Sequence, residues 1–130
     1  LQDVGLTSLV IADSEALAEM ADVLGRGEEA RELRARADGL RQAMEEVWDD
    51  RAGLYLNRRT DTGEFSRRLS PTLFYPLLAG VPSQRRAKRM VAEHLLDGTR
   101  VDQAALGAVG RHVGNMYSRT HEVFSLERPD

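Results

Sequence analysis

A mainly α fold, built of antiparallel helical hairpins with one small β-hairpin, is predicted by three features of the sequence. Apolar residues recur at helical spacing over two stretches of the first fifty residues. A glycine pair, Gly25 and Gly27, separates those stretches. The texture then breaks between residues 49 and 69 into short segments of strand character before helical spacing returns.

In the first helix Leu6, Leu9, Val10, Leu17, Met20, Ala21 and Leu24 fall on one face. Asp13, Glu15, Glu19 and Asp22 lie largely off it and read as a solvated face. Asp3 stands just before the stripe, where a carboxylate can cap the helix or face a cavity. Gly25-Arg26-Gly27 supplies the left-handed stop that a helix C-terminus favours. The second stripe runs through Ala30, Leu33, Ala37, Leu40, Met44, Val47 and Trp48, and Glu28 and Glu29 in its first turn suit the helix dipole. Two amphipathic helices joined so tightly must lie antiparallel. Gly39 inside the second helix is expected to allow a close helix approach.

Leu54-Tyr55-Leu56 and Phe65 through Leu69, separated by a turn-like Asp61-Thr62-Gly63, read as a small exposed β-hairpin. Ser70-Pro71-Thr72 can cap a short helix through Leu78, ended by Gly80 and Pro82. Ser83 caps a further helix to about Leu96, with Ala87, Met90, Val91 and Leu95 inward and Asp97-Gly98 as its stop. From Arg100 onward Gly107, Gly110 and Gly114 interrupt the pattern, and no strong apolar stripe survives past Val113.

Composition narrows the function. At 130 residues, 42% hydrophobic and 30% charged, the chain is one small domain or a piece of a larger one, and its start at Leu1 rather than methionine suggests a piece. Without cysteine there is no disulfide framework and no thiolate metal site. No run approaches the roughly 18 apolar residues of a membrane span, and no leader is visible, so no membrane partner and a cytoplasmic location are expected. Residues 1–50 carry thirteen acids against five arginines, whereas residues 51–130 carry thirteen bases against eight acids. The basic half includes Arg58, Arg59, Arg67, Arg68, Arg85, Arg86, Lys88 and Arg89. No aromatic residues interleave with them as a stacking platform requires, so they read as a solvated face paired with the acidic half rather than a nucleic-acid surface.

His94, His112 and His121 form no metal-binding spacing, and His94 reads as a boundary residue. No nucleophile elbow, Walker loop or dinucleotide fingerprint occurs, so no cofactor is expected. Carboxylates are plentiful, and acid–base cleavage of a sugar linkage needs two of them facing each other across the substrate. Trp48 and the Leu54–Leu56 segment could offer sugar-stacking faces, although a buried position suits Trp48 better. Periodicity does not fix the register of Tyr75, between Phe74 and Pro76.

Four segments carry a family resemblance. Asp3-Val4-Gly5-Leu6-Thr7-Ser8-Leu9 is followed by Ala16-Leu17-Ala18-Glu19-Met20-Ala21; Trp48-Asp49 precedes Gly53-Leu54-Tyr55; and Phe74-Tyr75-Pro76-Leu77-Leu78-Ala79-Gly80 closes the set. In order and spacing they resemble the mannosylglycerate hydrolase-like and glycoside hydrolase family 63 group, whose domain is an (α/α)6 barrel. The resemblance covers about residues 2–98. It implies a partial (α/α)6 glycoside hydrolase-like domain over residues 1–98, followed by a divergent tail over 99–130.

The parent reaction that the resemblance implies is inverting hydrolysis of an α-glycosidic bond, on a carbohydrate or glycosylglycerate substrate. In such enzymes the general acid is an aspartate upstream of the helix that begins here, and the general base is a glutamate well downstream. Neither motif has a match in this chain, so no catalytic residue is assigned and the chain alone is expected to be inactive. Asp3, Thr7 and Tyr75 match positions that could line the cavity, as candidate substrate-binding residues. Thr7 stands where the family carries asparagine. A barrel of six hairpins needs more than the two present, so exposed apolar helix faces and self-association are expected. Two other classes are weighed beside this one. A non-catalytic helical-hairpin interaction module lacks the self-similarity at a fixed period that arrays show, and a nucleic-acid-binding domain would rest on the arginines of residues 58–89.

Overall fold

The first helix, α1 (Val4–Val23), begins where Asp3 turns extended and its Oδ1 accepts a hydrogen bond from the Leu6 N–H at 2.8 Å. It ends in the predicted glycine stop. Gly25 takes a φ of 72°, the Arg26 N–H reaches the Ala21 carbonyl and the Gly25 N–H reaches the Asp22 carbonyl. Those paired bonds satisfy carbonyls that the helix leaves open. The chain reverses at once into α2 (Gly27–Met44). In this computed structural model residues 1–96 are described, in two units, Leu1–Val81 and the stretch from Pro82. The predictions for residues 97–130, including the Asp97-Gly98 stop, His112, His121 and the tail, lie outside the described residues.

The two helices form the expected hairpin, but α1 does not bury its expected stripe. Leu6, Leu9, Val10, Leu17, Met20 and Leu24 are exposed, whereas Val4, Gly5, Ser8, Ile11, Ser14, Ala18 and Ala21 are buried. Helix α1 is apolar on two sides, one of large residues and one mostly of small ones beside Val4 and Ile11. Periodicity registers the large ones, yet two backbones close most tightly over small side chains. Ala18 and Ala21 accordingly meet Ala30 of α2, with Leu33 packed against them. Ser8 tolerates burial because its hydroxyl donates to the Val4 carbonyl at 2.7 Å. On α2 the predicted stripe holds, with Ala30, Ala37, Met44 and Val47 buried and Leu33, Leu40 and Trp48 half-buried.

Gly39 serves no close approach, since a Cβ added there would meet nothing within 4 Å. The tight contact is at Gly5, where a Cβ would lie 2.7 Å from the Thr72 Cβ.

After one 3₁₀ turn (Glu45–Val47), β1 (Trp48–Asp49) pairs antiparallel with β2 (Leu54–Tyr55), Trp48 opposite Tyr55 and Asp49 opposite Leu54. The Asp49 carboxylate accepts from the Arg51 and Ala52 N–H groups, and Gly53 (φ 65°) closes the turn. The strand partner therefore precedes Leu54 instead of lying at 65–69. Beyond it, residues 57–66 fold back through a bridge between Arg58 and Phe65, and Arg58 also bridges to Gln2. Leu54, Tyr55 and Leu56 are all buried, contrary to the exposed hairpin expected. An unbroken apolar run such as this one is a sequence with both faces covered.

Pro71–Phe74 forms a 3₁₀ turn leading into α3 (Tyr75–Leu78). The Ser70 hydroxyl bonds the Thr72 hydroxyl at 2.7 Å instead of capping the backbone. Gly80 (φ 60°) ends α3 with the same pair of bonds as α1, from the Val81 N–H to the Pro76 carbonyl and from the Gly80 N–H to the Leu77 carbonyl. Arg41 of α2 then joins three elements. Its Nη2 lies 2.6 Å from Glu15 Oε1 of α1 and donates to the Ala79 carbonyl at 2.8 Å, while Nη1 donates to the Gly80 carbonyl at 2.9 Å. Glu15 is thus a cross-helix partner, not part of a free solvated face.

In the second unit α4 (Gln84–His94) starts at Ser83, whose hydroxyl accepts from the Arg86 N–H. Met90 is buried and Ala87, Val91 and Leu95 are half-buried, as the stripe predicts. His94, expected at a boundary, is buried.

Two pairs of substitutions test this packing by chemical denaturation. Gly5→Ala should destabilise by about 1–3 kcal/mol through the clash with Thr72, whereas Gly39→Ala should stabilise by about 0.5–1 kcal/mol through helix propensity. Arg41→Ala should cost about 1–3 kcal/mol by breaking charge-assisted bonds, and Arg41→Lys should recover only part, because an ammonium cannot span the carboxylate and two carbonyls in one plane.

Candidate functional site

The residues singled out at the start of α1 are fixed by helix-start chemistry. Asp3 caps through its side chain, and its carbonyl accepts from both the Thr7 N–H at 3.0 Å and the Thr7 hydroxyl at 2.6 Å. The Val4 N–H, one of the donors a helix start leaves open, is taken by Asn57 Oδ1 at 2.8 Å. Gln2 and Arg58 exchange two backbone bonds, at 2.7 and 3.1 Å. The chain after Tyr55 therefore holds the entrance of α1 from one side, and α3 with its preceding turn packs on the same helix.

Between the start of α1 and the end of α2 lies a half-open hollow of about 180 Å³, lined by Gln2, Asp3, Val4, Thr7, Leu40, Ala43, Met44 and Val47. Its floor is apolar and its polar groups sit together at the α1 end. The structure thus brings Asp3 and Thr7 to one hollow. Tyr75 is not among its lining residues; it is half-buried at the start of α3. Gln2 and Asn57 escaped the sequence reading, and the signal available for Asn57 was its place directly after the buried Leu54–Leu56 run.

A second hollow of about 270 Å³ between α1 and α2 is lined by Glu15, Glu19, Arg34 and Asp38. At its edge Arg34 pairs with Asp22, and this hydrogen bond holds the Asp22 carboxyl below the usual carboxylate range. Arg59 depresses Asp61 in the same way. Arg89 pairs with Glu93 within α4. These pairs join acids and bases of the same half of the chain, so the acidic and basic halves do not pair with each other there as expected. Trp48 is half-buried, its ring edge-on to Tyr55 with centroids 4.9 Å apart, and its Nε1–H donates to Asp50. Leu54 and Leu56 are too deeply buried to offer a sugar a face. Among the described residues no group of three or more His, Asp or Glu side chains is placed to hold a metal ion. Among the same residues no helix is long and apolar enough to cross a membrane.

The model of the mannosylglycerate hydrolase MGH1-like glycoside hydrolase domain matches residues 1–116. The chain belongs to this glycoside hydrolase family. The match includes the segments from Asp3 to Gly80 on which the resemblance rested, and it runs past residue 98. The mannosylglycerate hydrolase of Rubrobacter radiotolerans is 31% identical over 116 residues, covering 85% of this chain and 26% of that protein. The chain therefore spans about a quarter of the length of the curated relative it matches. In this chain α1 and α2 form one helical hairpin whose entrance is held by the Gln2–Arg58 bridge.

The electrostatics of that hairpin give a test. A carboxylate depressed by its folded-state partner stabilises the fold above its unfolded value of 3.8, and that contribution is lost as pH falls through the lower folded value. In NMR titrations the Asp22 carboxyl should show a midpoint below 3.8, and Arg34→Gln should move it upward.

Proposed function

We propose that this chain is the helical-hairpin portion of a glycoside hydrolase domain, and that its full-length parent hydrolyses an α-glycosidic bond with inversion. The observation that carries the reading is the family match over residues 1–116. The substrate class follows from the relative's name, a mannosylglycerate hydrolase, and is a glycosylglycerate or a related α-glycoside. Inversion needs an acid and a base about 6.5–9.5 Å apart with a water between them. Those carboxylates lie in the remainder of the parent. Three carboxylates of the α1 region support this division, because Asp3 caps the helix, Glu15 is bound by Arg41 and Asp22 by Arg34. Each is committed to structure rather than to proton transfer.

In the parent, Asp3 and Thr7 border the substrate from the start of α1, and Tyr75 approaches from α3. A cytoplasmic location belongs to the same reading and is supported by the absence of cysteine. The family match favours this reading over a free-standing interaction module.

The purified 130-residue chain should give no turnover of mannosylglycerate or of aryl α-glycosides. Turnover that co-purifies with the chain would overturn the placement of the catalytic carboxylates elsewhere. In the full-length parent, Thr7→Ala and Tyr75→Phe should raise KM more than they lower kcat; unchanged kinetics would remove both from the substrate site.

A further inference from the structure

A narrow ladder flanks the hollow at the start of α1. Gln2 and Arg58 exchange backbone bonds at 2.7 and 3.1 Å, and Arg58 bridges in turn to Phe65, both times antiparallel. Residues directly opposite in such a pair present their side chains to one face, and their neighbours along the chain present to the other. The helix uses the second face: Asp3 caps α1 and Asn57 takes the Val4 N–H. Gln2, Arg58 and Phe65 therefore share the first face, and Gln2 also borders the hollow.

Arg58 is half-buried, and its Nε–H donates to the Gly63 carbonyl at 3.0 Å. That bond fixes the plane of the guanidinium and leaves its two terminal nitrogens to donate. Arg26, Arg34, Arg41, Arg59 and Arg89 each pair with an acid. Among the described residues no acid pairs with Arg58. Its neighbour Arg59 shows the contrast, spanning the Asp61 carboxylate with bonds of 3.0 and 2.6 Å. The nearby acid is thus taken, and Arg58 keeps its charge. A guanidinium held in one plane with its end open suits a carboxylate, which accepts two parallel N–H bonds.

We propose that Arg58 binds the carboxylate of an acidic glycoside, the glycerate end of a glycosylglycerate, at the rim of the hollow. The inference rests on the glycosidase reading and adds to it the group that separates an acidic substrate from a neutral one. Asp3 and Thr7 cannot supply that group. The Asp3 carboxylate repels an anion, and the Thr7 hydroxyl gives its proton to the Asp3 carbonyl. Both are acceptors toward the hollow, which suits sugar hydroxyls. Gln2 joins the two functions, since it borders the hollow and pairs with Arg58.

Calorimetric titration of the full-length parent with glycerate reads the carboxylate site without turnover. Arg58→Gln should weaken glycerate binding by roughly tenfold or more. Arg58→Lys should recover part of it, because an ammonium keeps the charge and loses the paired N–H geometry. In turnover, Arg58→Gln should raise KM for mannosylglycerate by about the same factor and leave KM for the uncharged amide of that glycoside unchanged. Equal losses on acid and amide, glycerate binding indifferent to Arg58→Gln, or no glycerate binding by the unaltered parent would overturn the proposal. A parent that binds glycerate through Arg58 yet hydrolyses neither glycoside would overturn the glycosidase reading and leave Arg58 standing as a carboxylate site.

Discussion

Small side chains along one face of α1 decide where everything else in the first unit goes. Gly5 admits the Thr72 side chain at a distance that a methyl group would forbid, and Ala18 and Ala21 admit α2 at Ala30. Contact that tight leaves little room between the helices for long apolar residues, so these collect on the opposite side. It also brings α1 acids within reach of α2 arginines. Arg41 exploits that proximity most fully, binding Glu15 and the two carbonyls that end α3. An arginine at this point satisfies a helix C-terminus and a carboxylate together, which its planar fork allows.

The candidate site inherits this arrangement. Helix α1 starts where it does because Asp3 caps it, Asn57 takes the Val4 N–H and Gln2 pairs with Arg58. Those three ties bring the chain after β2 to the start of α1 beside the hollow that Thr7 lines. Beside that hollow, Asp3 is engaged in capping, and along the hairpin Glu15 and Asp22 are engaged in ion pairs. Under the proposed function the segment serves as scaffold and wall of a sugar site, in a chain that spans about a quarter of the relative it matches.

Much of the architecture was legible beforehand. Both glycine stops, the α2 stripe, the short helix after Pro71 and the capped α4 all follow from local chemistry, since a cap or a left-handed glycine acts within a few residues. The misreadings share one cause. The α1 stripe, the role of Gly39 and the strand partner of Leu54 each depended on what stands opposite, and periodicity carries no information about the partner. Of the site residues, Asp3 was legible as a cap, while the join to Asn57 spans more than fifty residues and leaves no local trace.

The sequence by itself determined a helical hairpin, a strand excursion and a family, because these rest on local backbone preference and on motifs in order. Tertiary structure alone decided which face of α1 is buried. Both faces are apolar, and the choice between them was made by steric fit: small residues let the backbones close, and large ones were left facing outward.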